Sequence, residues 1–249
     1  MEFKELKEKI GKFVKEELYS LEPWIYSSEW DEKLPKLNEL REKVKKMGLW
    51  LPQISTNYGG LGLTLEEHGE ISEILGGSPY GFYVFNCQAP DAGNMEILIE
   101  VGTSQQKKDY LTPLLEGKTR SCFAMTEPGY AGSNPTRMGT VAKKENGNYI
   151  INGHKWFTSS FDGADFAIVM VVTDPNEENP YKRASQIIVP TNTEGVEFVR
   201  NVSIMGHPGG GWESHAEIKF KNVIVPESNI LGSEGDGFAI AQKRLGPGR

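Results

Sequence analysis

Phe3, Leu6, Ile10, Phe13 and Val14 recur at steps of three and four residues, which predicts an amphipathic helix at the start of the chain. Leu37, Leu40, Val44 and Met47 repeat the pattern, and Gly48 supplies the stop. The Gly-rich stretch "QISTNYGGLGL" reads as a loop. Thr64 and Glu67 then have the spacing of a capping box for a helix carrying Ile71, Ile74 and Leu75, ended by Gly76 and Gly77. A further helix is expected from about Asn94 to Gly102. Thr103 with Gln106 opens another through Tyr110, Leu111, Leu114 and Leu115, closed by Gly117.

After about Arg120 the period falls from 3.6 to 2. "TVAKKENGNYIINGHKWF" predicts a hairpin with Asn146-Gly147 in its turn. "DFAIVMVVTD" is a continuous apolar run rich in β-branched residues, the signature of a buried strand. "SQIIVP", "VEFVRNVS" and "HAEIKFKNVIVP" are further strands between turn residues. Short strands at this spacing predict a small β-barrel or sandwich. The closing "GDGFAIAQKRLGPGR" reads as the start of a helix carrying Phe238, Ile240, Ala241 and Leu245. The fold class is therefore α+β and multidomain. An all-α N-terminal domain (1–121) precedes a β-domain (122–231), and 232–249 begin a second helical domain.

At 249 residues, 38% hydrophobic and 24% charged, the chain has the composition of a globular protein with a sizeable core. A net charge of −7 argues against nucleic acid or an anionic membrane surface as the main partner, since both require a basic face. No stretch approaches a membrane span, and the charged N-terminus does not resemble a secretory signal. Cys87 and Cys122 have no paired spacing, so a reducing, cytoplasmic setting is expected. His68, His154, His207 and His215 lack metal-ligand spacing, so no metal site is expected.

Two segments carry candidate chemistry. In "CFAMTEPGYAGSNPT" (122–136), small residues crowd one loop, so several backbone N–H groups can converge on an anion. Thr126 and Ser133 add hydroxyls, and Phe123 and Met125 offer an apolar face. An ordinary tight turn between domains fits this composition equally well. In "NGHKWFTSS", Trp156 and Phe157 are adjacent and on a regular strand face opposite sides, so one can be core while the other stacks on a ligand, although both residue types are more often core than platform. Thr158 and Ser159 continue as hydrogen-bond donors. Glu127 beside Pro128 is expected to fix the turn, and His154 and His207 to lie at the surface or in contacts within the β-domain.

The ordered set "YGGLGLTLEEHGEISEILGG", "VGTSQQKKDYLTPLLEGKTRSCFAMTEP", "NGHKWFTS" and "LGSEGDGFAIAQKRLGPGR" resembles the acyl-CoA dehydrogenase family over nearly the whole chain. "QAPDAGNMEIL" is similar to the branch that includes vertebrate members with a fused kinase-like domain. The resemblance implies FAD as cofactor, with Phe123, Met125, Thr126, Gly132, Ser133, Phe157, Thr158 and Ser159 around it. It implies an acyl-CoA thioester near Ser133, Gly246, Gly248 and Arg249, an electron-transfer flavoprotein or similar acceptor, and a homodimer or homotetramer in the complete protein. Two departures stand out: the loop is one residue longer than in the short-chain members, as in the close branch, and the platform Trp of many members is Phe157 here, with Trp156 beside it and Ser159 in place of the usual Thr.

The chemistry implied is α,β-dehydrogenation: an α-proton leaves to a base, usually Glu, and a hydride passes to the flavin. The family's nearer base position is Gly248 here, so the base is expected beyond Arg249, and these residues alone are expected to be inactive. The resemblance leaves two alternatives: a flavin-dependent oxidase or monooxygenase of the same fold, and a non-catalytic acyl-CoA-binding subunit.

Overall fold

The computed structural model of the protein describes residues 2–245. Two compact units divide the chain, one of Met1–Ala92 and one beginning at Gly93. The expected helical-then-β order holds, and the second unit contains a mixed sheet.

The first unit is helical: α1 (Phe3–Phe13), α2 (Glu22–Ser27), α3 (Trp30–Lys46), α4 (Leu65–Leu75) and α5 (Gly81–Val84). α1 buries Leu6, Ile10 and Phe13, as its periodicity requires. α3 buries Leu37, Leu40 and Val44, while Met47 falls just past the last turn and is exposed. Gly48 follows at φ 68°, the left-handed turn that stops a helix at low cost. The capping box of α4 is present, with Thr64 Oγ1 accepting from Glu67 N and the Glu67 carboxylate from Thr64 N. The buried guanidinium of Arg41 lies over the rings of Trp50 and Tyr83 at 4.8 and 4.6 Å and donates to Asn86 Oδ1 and the Tyr83 carbonyl. The aromatic faces and these acceptors compensate its burial.

The boundary between units falls within α6 (Asp91–Val101). The second unit continues with α7 (Ser104–Gln106) and α8 (Thr112–Leu115), then strands β1 (Ser121–Ala124), β2 (Val141–Glu145), β3 (Asn148–Ser159), β4 (Phe166–Val172), β5 (Ala184–Pro190), β6 (Val196–Asn201), β7 (His215–Pro226) and β8 (Ile230–Leu231), and finally α9 (Gly237–Leu245). The sheet order is β6-β7-β3-β2-β4-β5-β8, with β1 beside β4. Pairing is mainly antiparallel; β1 and β2 meet β4 in parallel. The β2–β3 turn has Asn146 and Gly147 at φ 49° and 76°, the two left-handed residues that a two-residue hairpin needs.

β4 is buried from Phe166 through Val171 because both its faces are covered. On one face Ala167, Val169 and Val171 join the sheet core with Tyr149, Ile151, Ile187 and Ile218. On the other, Met170 packs with Ala184 and with Ala241 of α9, and Phe166 meets Tyr110 at 5.0 Å. No helix among the described residues is long and apolar enough to cross a membrane.

Candidate functional site

The loop after β1 is held at both ends by one buried ion pair. Lys155 of β3 is 0% exposed and Glu127 is 5% exposed; Nζ and Oε1 are 2.8 Å apart. Lys155 also donates to the Met125 carbonyl at 2.8 Å. The Glu127 carboxylate accepts from the amides of Gly139 at 2.6 Å and Thr140 at 2.9 Å, where the loop returns to the sheet. Burial raises the Glu127 pKa, but the Lys155 charge and the hydrogen bonds from Lys155, Thr140 and Gly139 outweigh it and hold the carboxyl below its usual range. Burial pushes Lys155 down to about 8, with Glu127 opposing it. The pair is therefore charged at neutral pH.

Thr126 is tied to β3 twice: its Oγ1 donates to the Trp156 carbonyl at 2.8 Å, and Trp156 N donates to the Thr126 carbonyl at 3.0 Å. At this point β3 carries a bulge. Lys155 pairs with Ile218 and Thr158 with Ala216, so β3 spends one residue more than β7. Phe157 takes φ 48° to absorb it. Trp156 and Phe157 consequently do not face opposite sides as a regular strand would place them. Their ring centroids lie 4.9 Å apart, edge to face, because the left-handed residue breaks the period of two. Phe157 is left 42% exposed, Thr158 turns into the core and Ser159 is half-buried. Thr158 Oγ1 has no partner among the described residues.

Above Thr126 the loop is exposed from Pro128 to Asn134. A Cβ on Gly132 would lie 3.3 Å from Thr126 Cγ2, so the loop's path depends on a small residue there. Tyr130, Asn134 and Arg137 direct their amides to loop carbonyls. The amides of Ala131, Gly132 and Ser133 donate to no carbonyl or side chain among the described residues. An exposed ring, open amides, and the hydroxyls of Ser133 and Thr126 thus lie on neighbouring segments. Such an arrangement can stack a flat ring and take an anionic group.

The structure unites Thr126 with Trp156, and Phe157 with Ser159 along one strand. Phe123 and Met125 sit instead against Met170, Ala184 and Ala241, with the Arg244 guanidinium carbon 4.3 Å from the Phe123 ring centroid. Arg244 is itself oriented by Asn94 Oδ1 at 3.1 Å, and Asn94 donates to Ser121 Oγ and the Cys122 carbonyl. Gly246, Gly248 and Arg249 lie outside the described residues. Glu127 anchors the turn as expected, His154 pairs with Glu217 at 2.9 Å, and His207 is exposed. Lys155 and His215 were not singled out in the sequence. The signal for Lys155 was its parity: Tyr149, Ile151 and Lys155 are two or four residues apart on the face that points inward.

The middle-domain model of the acyl-CoA dehydrogenases matches residues 122–223, and the N-terminal-domain model matches residues 1–118. The chain is 41% identical over 260 residues to mouse acyl-CoA dehydrogenase family member 10, covering 99% of this chain and 24% of that protein. It is 41% identical over 254 residues to chicken acyl-CoA dehydrogenase family member 11, covering 97% of this chain and 32% of that one. The chain thus spans about a quarter to a third of these two relatives. A solved structure from Mycobacterium abscessus, named for the acyl-CoA dehydrogenases, superposes with TM-score 0.91 at 36% identity over 99% of this chain and 64% of that chain. A chain from a structure of the electron transferring flavoprotein of Acidaminococcus fermentans matches with TM-score 0.78 at 28% identity, over 99% of this chain and 62% of that chain.

Proposed function

The chain belongs to the acyl-CoA dehydrogenase family, and from that membership we propose that the protein binds FAD and takes part in α,β-dehydrogenation of an acyl-CoA thioester. One observation carries the reading: the bulge that leaves Phe157 exposed is tied by two hydrogen bonds to Thr126, at the foot of a loop with three open amides. These residues fit a flavin. Phe157 offers a face to the ring system, the amides of Ala131, Gly132 and Ser133 suit its pyrophosphate, and Thr126 and Ser159 carry hydroxyls within the same region. When bound, FAD supplies the hydride acceptor.

The chain's own part is binding, orientation and exclusion of water. The Lys155–Glu127 pair sets the loop's two ends, and Thr126 fixes its height above β3. Phe123 and Met125 act from behind, as packing under α9. Glu127 is not the α-proton base, since both its oxygens are engaged by Lys155, Gly139 and Thr140. We assign the base to a carboxylate outside this loop and strand. The substrate in this reading is an acyl-CoA, and the electron acceptor an electron-transfer flavoprotein or similar acceptor. A domain boundary near 121 and a homo-oligomer complete the reading.

The test is reconstitution with FAD followed by anaerobic addition of octanoyl- or palmitoyl-CoA. Flavin binding and bleaching of its absorbance are expected from the complete protein. A complete protein that retains no FAD would overturn the reading.

A further inference from the structure

Ser159 ends β3, His215 begins β7, and the two are paired across the ladder. Ser159 Oγ lies 2.8 Å from His215 Nδ1. The His215 carbonyl accepts from Val202 N at 2.8 Å, which fixes the backbone from which the ring projects. Burial lowers the His215 pKa, so the ring is neutral at pH 7. The charged groups on neighbouring elements have other partners. Glu217, two residues along β7, is taken by Arg200 of β6 and by His154 of β3. Asp162, after β3, accepts from Gly211 N.

A serine hydroxyl has one hydrogen, and a neutral imidazole has one ring hydrogen on either nitrogen. With that hydrogen on Nδ1, His215 donates to Oγ, and the Ser159 hydrogen is left for another acceptor. With it on Nε2, Nδ1 must accept, and the Ser159 hydrogen is drawn into this bond. Phe157 lies in the bulge and is exposed; past it the alternation resumes, with Thr158 buried and Ser159 half-buried toward the open side of β3.

We propose that His215 is a positioning residue of the flavin site: its tautomer sets whether Ser159 offers a hydrogen or a lone pair to the ligand lying on Phe157. This inference rests on the FAD reading above. Protonation places a hydrogen on both ring nitrogens, so acid fixes the state in which Ser159 donates. Wherever the ligand presents an acceptor to Ser159, its affinity rises as His215 takes up a proton.

The test compares the wild-type protein with Ser159→Ala, His215→Asn and His215→Phe. Without flavin, ¹⁵N NMR of the imidazole reads tautomer and titration directly. Ser159→Ala is expected to change the His215 tautomer ratio; an unchanged ratio and titration would overturn the contact. FAD affinity is then measured by fluorescence at pH 8 and at an acidic pH below the His215 titration that NMR reads. One hydrogen bond of about 1 kcal/mol corresponds to about fivefold tighter binding at the acidic pH in the wild type. That ratio is expected to fall below about twofold in Ser159→Ala and His215→Phe. In His215→Asn, whose amide donates but does not titrate, affinity is expected to be equal at the two pH values. Equal wild-type affinities, or a ratio that survives in Ser159→Ala, would overturn the proposal while leaving FAD binding in place. A wild type that binds no FAD at either pH would overturn the underlying reading and the proposal with it.

Discussion

Changing Glu127 to Gln leaves the Lys155 ammonium buried with a neutral amide where it had a carboxylate. Breaking one side of a buried ion pair costs roughly 3–5 kcal/mol. Glu127 also receives the amides of Gly139 and Thr140, and the Gln carbonyl retains one acceptor for them, so the lower end, about 3 kcal/mol, is expected. For a unit of this size that lowers Tm by about 6–12 °C. The pH dependence sharpens the test. The folded Lys155 pKa of about 8 lies below its unfolded value of 10.5, so the unfolded chain binds the extra proton and wild-type stability rises with pH across that window. Glu127 is lowered from 4.5, so its contribution is fully present above that value and is lost as pH falls through the folded pKa. In Glu127→Gln the unpaired ammonium drops further, and the penalty of the variant shrinks as pH rises. In Lys155→Met the unpaired carboxylate is the problem, and the penalty shrinks as pH falls. Urea denaturation of both single variants and the double variant at pH 5, 7 and 9 reads all of this. A Glu127→Gln penalty under about 1 kcal/mol, or the same pH trend in both single variants, would refute the buried-pair account.

Gly132→Val presses a side chain onto Thr126 Cγ2 and is expected to weaken FAD binding at least about tenfold while leaving the unfolding midpoint within about 2 °C, read by flavin fluorescence and calorimetry. Thr126→Val removes the Oγ1 bond to Trp156 and is expected to cost about 1 kcal/mol in urea denaturation. Thr64→Ala removes the N-cap of α4 and is expected to cost about 1 kcal/mol, seen as faster amide exchange in its first turn.

Most of the fold was legible because its signals are local. The capping pairs Thr64–Glu67 and Thr103–Gln106, the Asn146-Gly147 turn and the apolar run of β4 each carry their reason within a few residues. The parallel placement of β1 against β4 was not legible, since it depends on which strand has a free edge after the hairpins form. At the site, composition marked the loop and the aromatic pair, but not the bulge. A positive φ at Phe157 has no propensity signal; it follows from the extra residue that β3 must fit opposite β7. Lys155 had no signal beyond its parity with Tyr149 and Ile151, and His215 acquired meaning only from the register that sets it beside Ser159.

The β1–β4 pairing also bears on the order of assembly. β2–β3 joins across two residues, whereas Ser121 must find Phe166 about 45 residues away, a closure costing about 3 kcal/mol of chain entropy before any contact repays it. The β2–β3 hairpin is therefore expected to form before β1 docks, so that Met125, Thr126 and Glu127 arrive at a β3 already paired with β2. Partial opening of the unit is expected at the strand that carries the loop. In native-state hydrogen exchange, the Trp156 amide, which bonds only to Thr126, should open at lower free energy than the amides of the β4–β5 ladder.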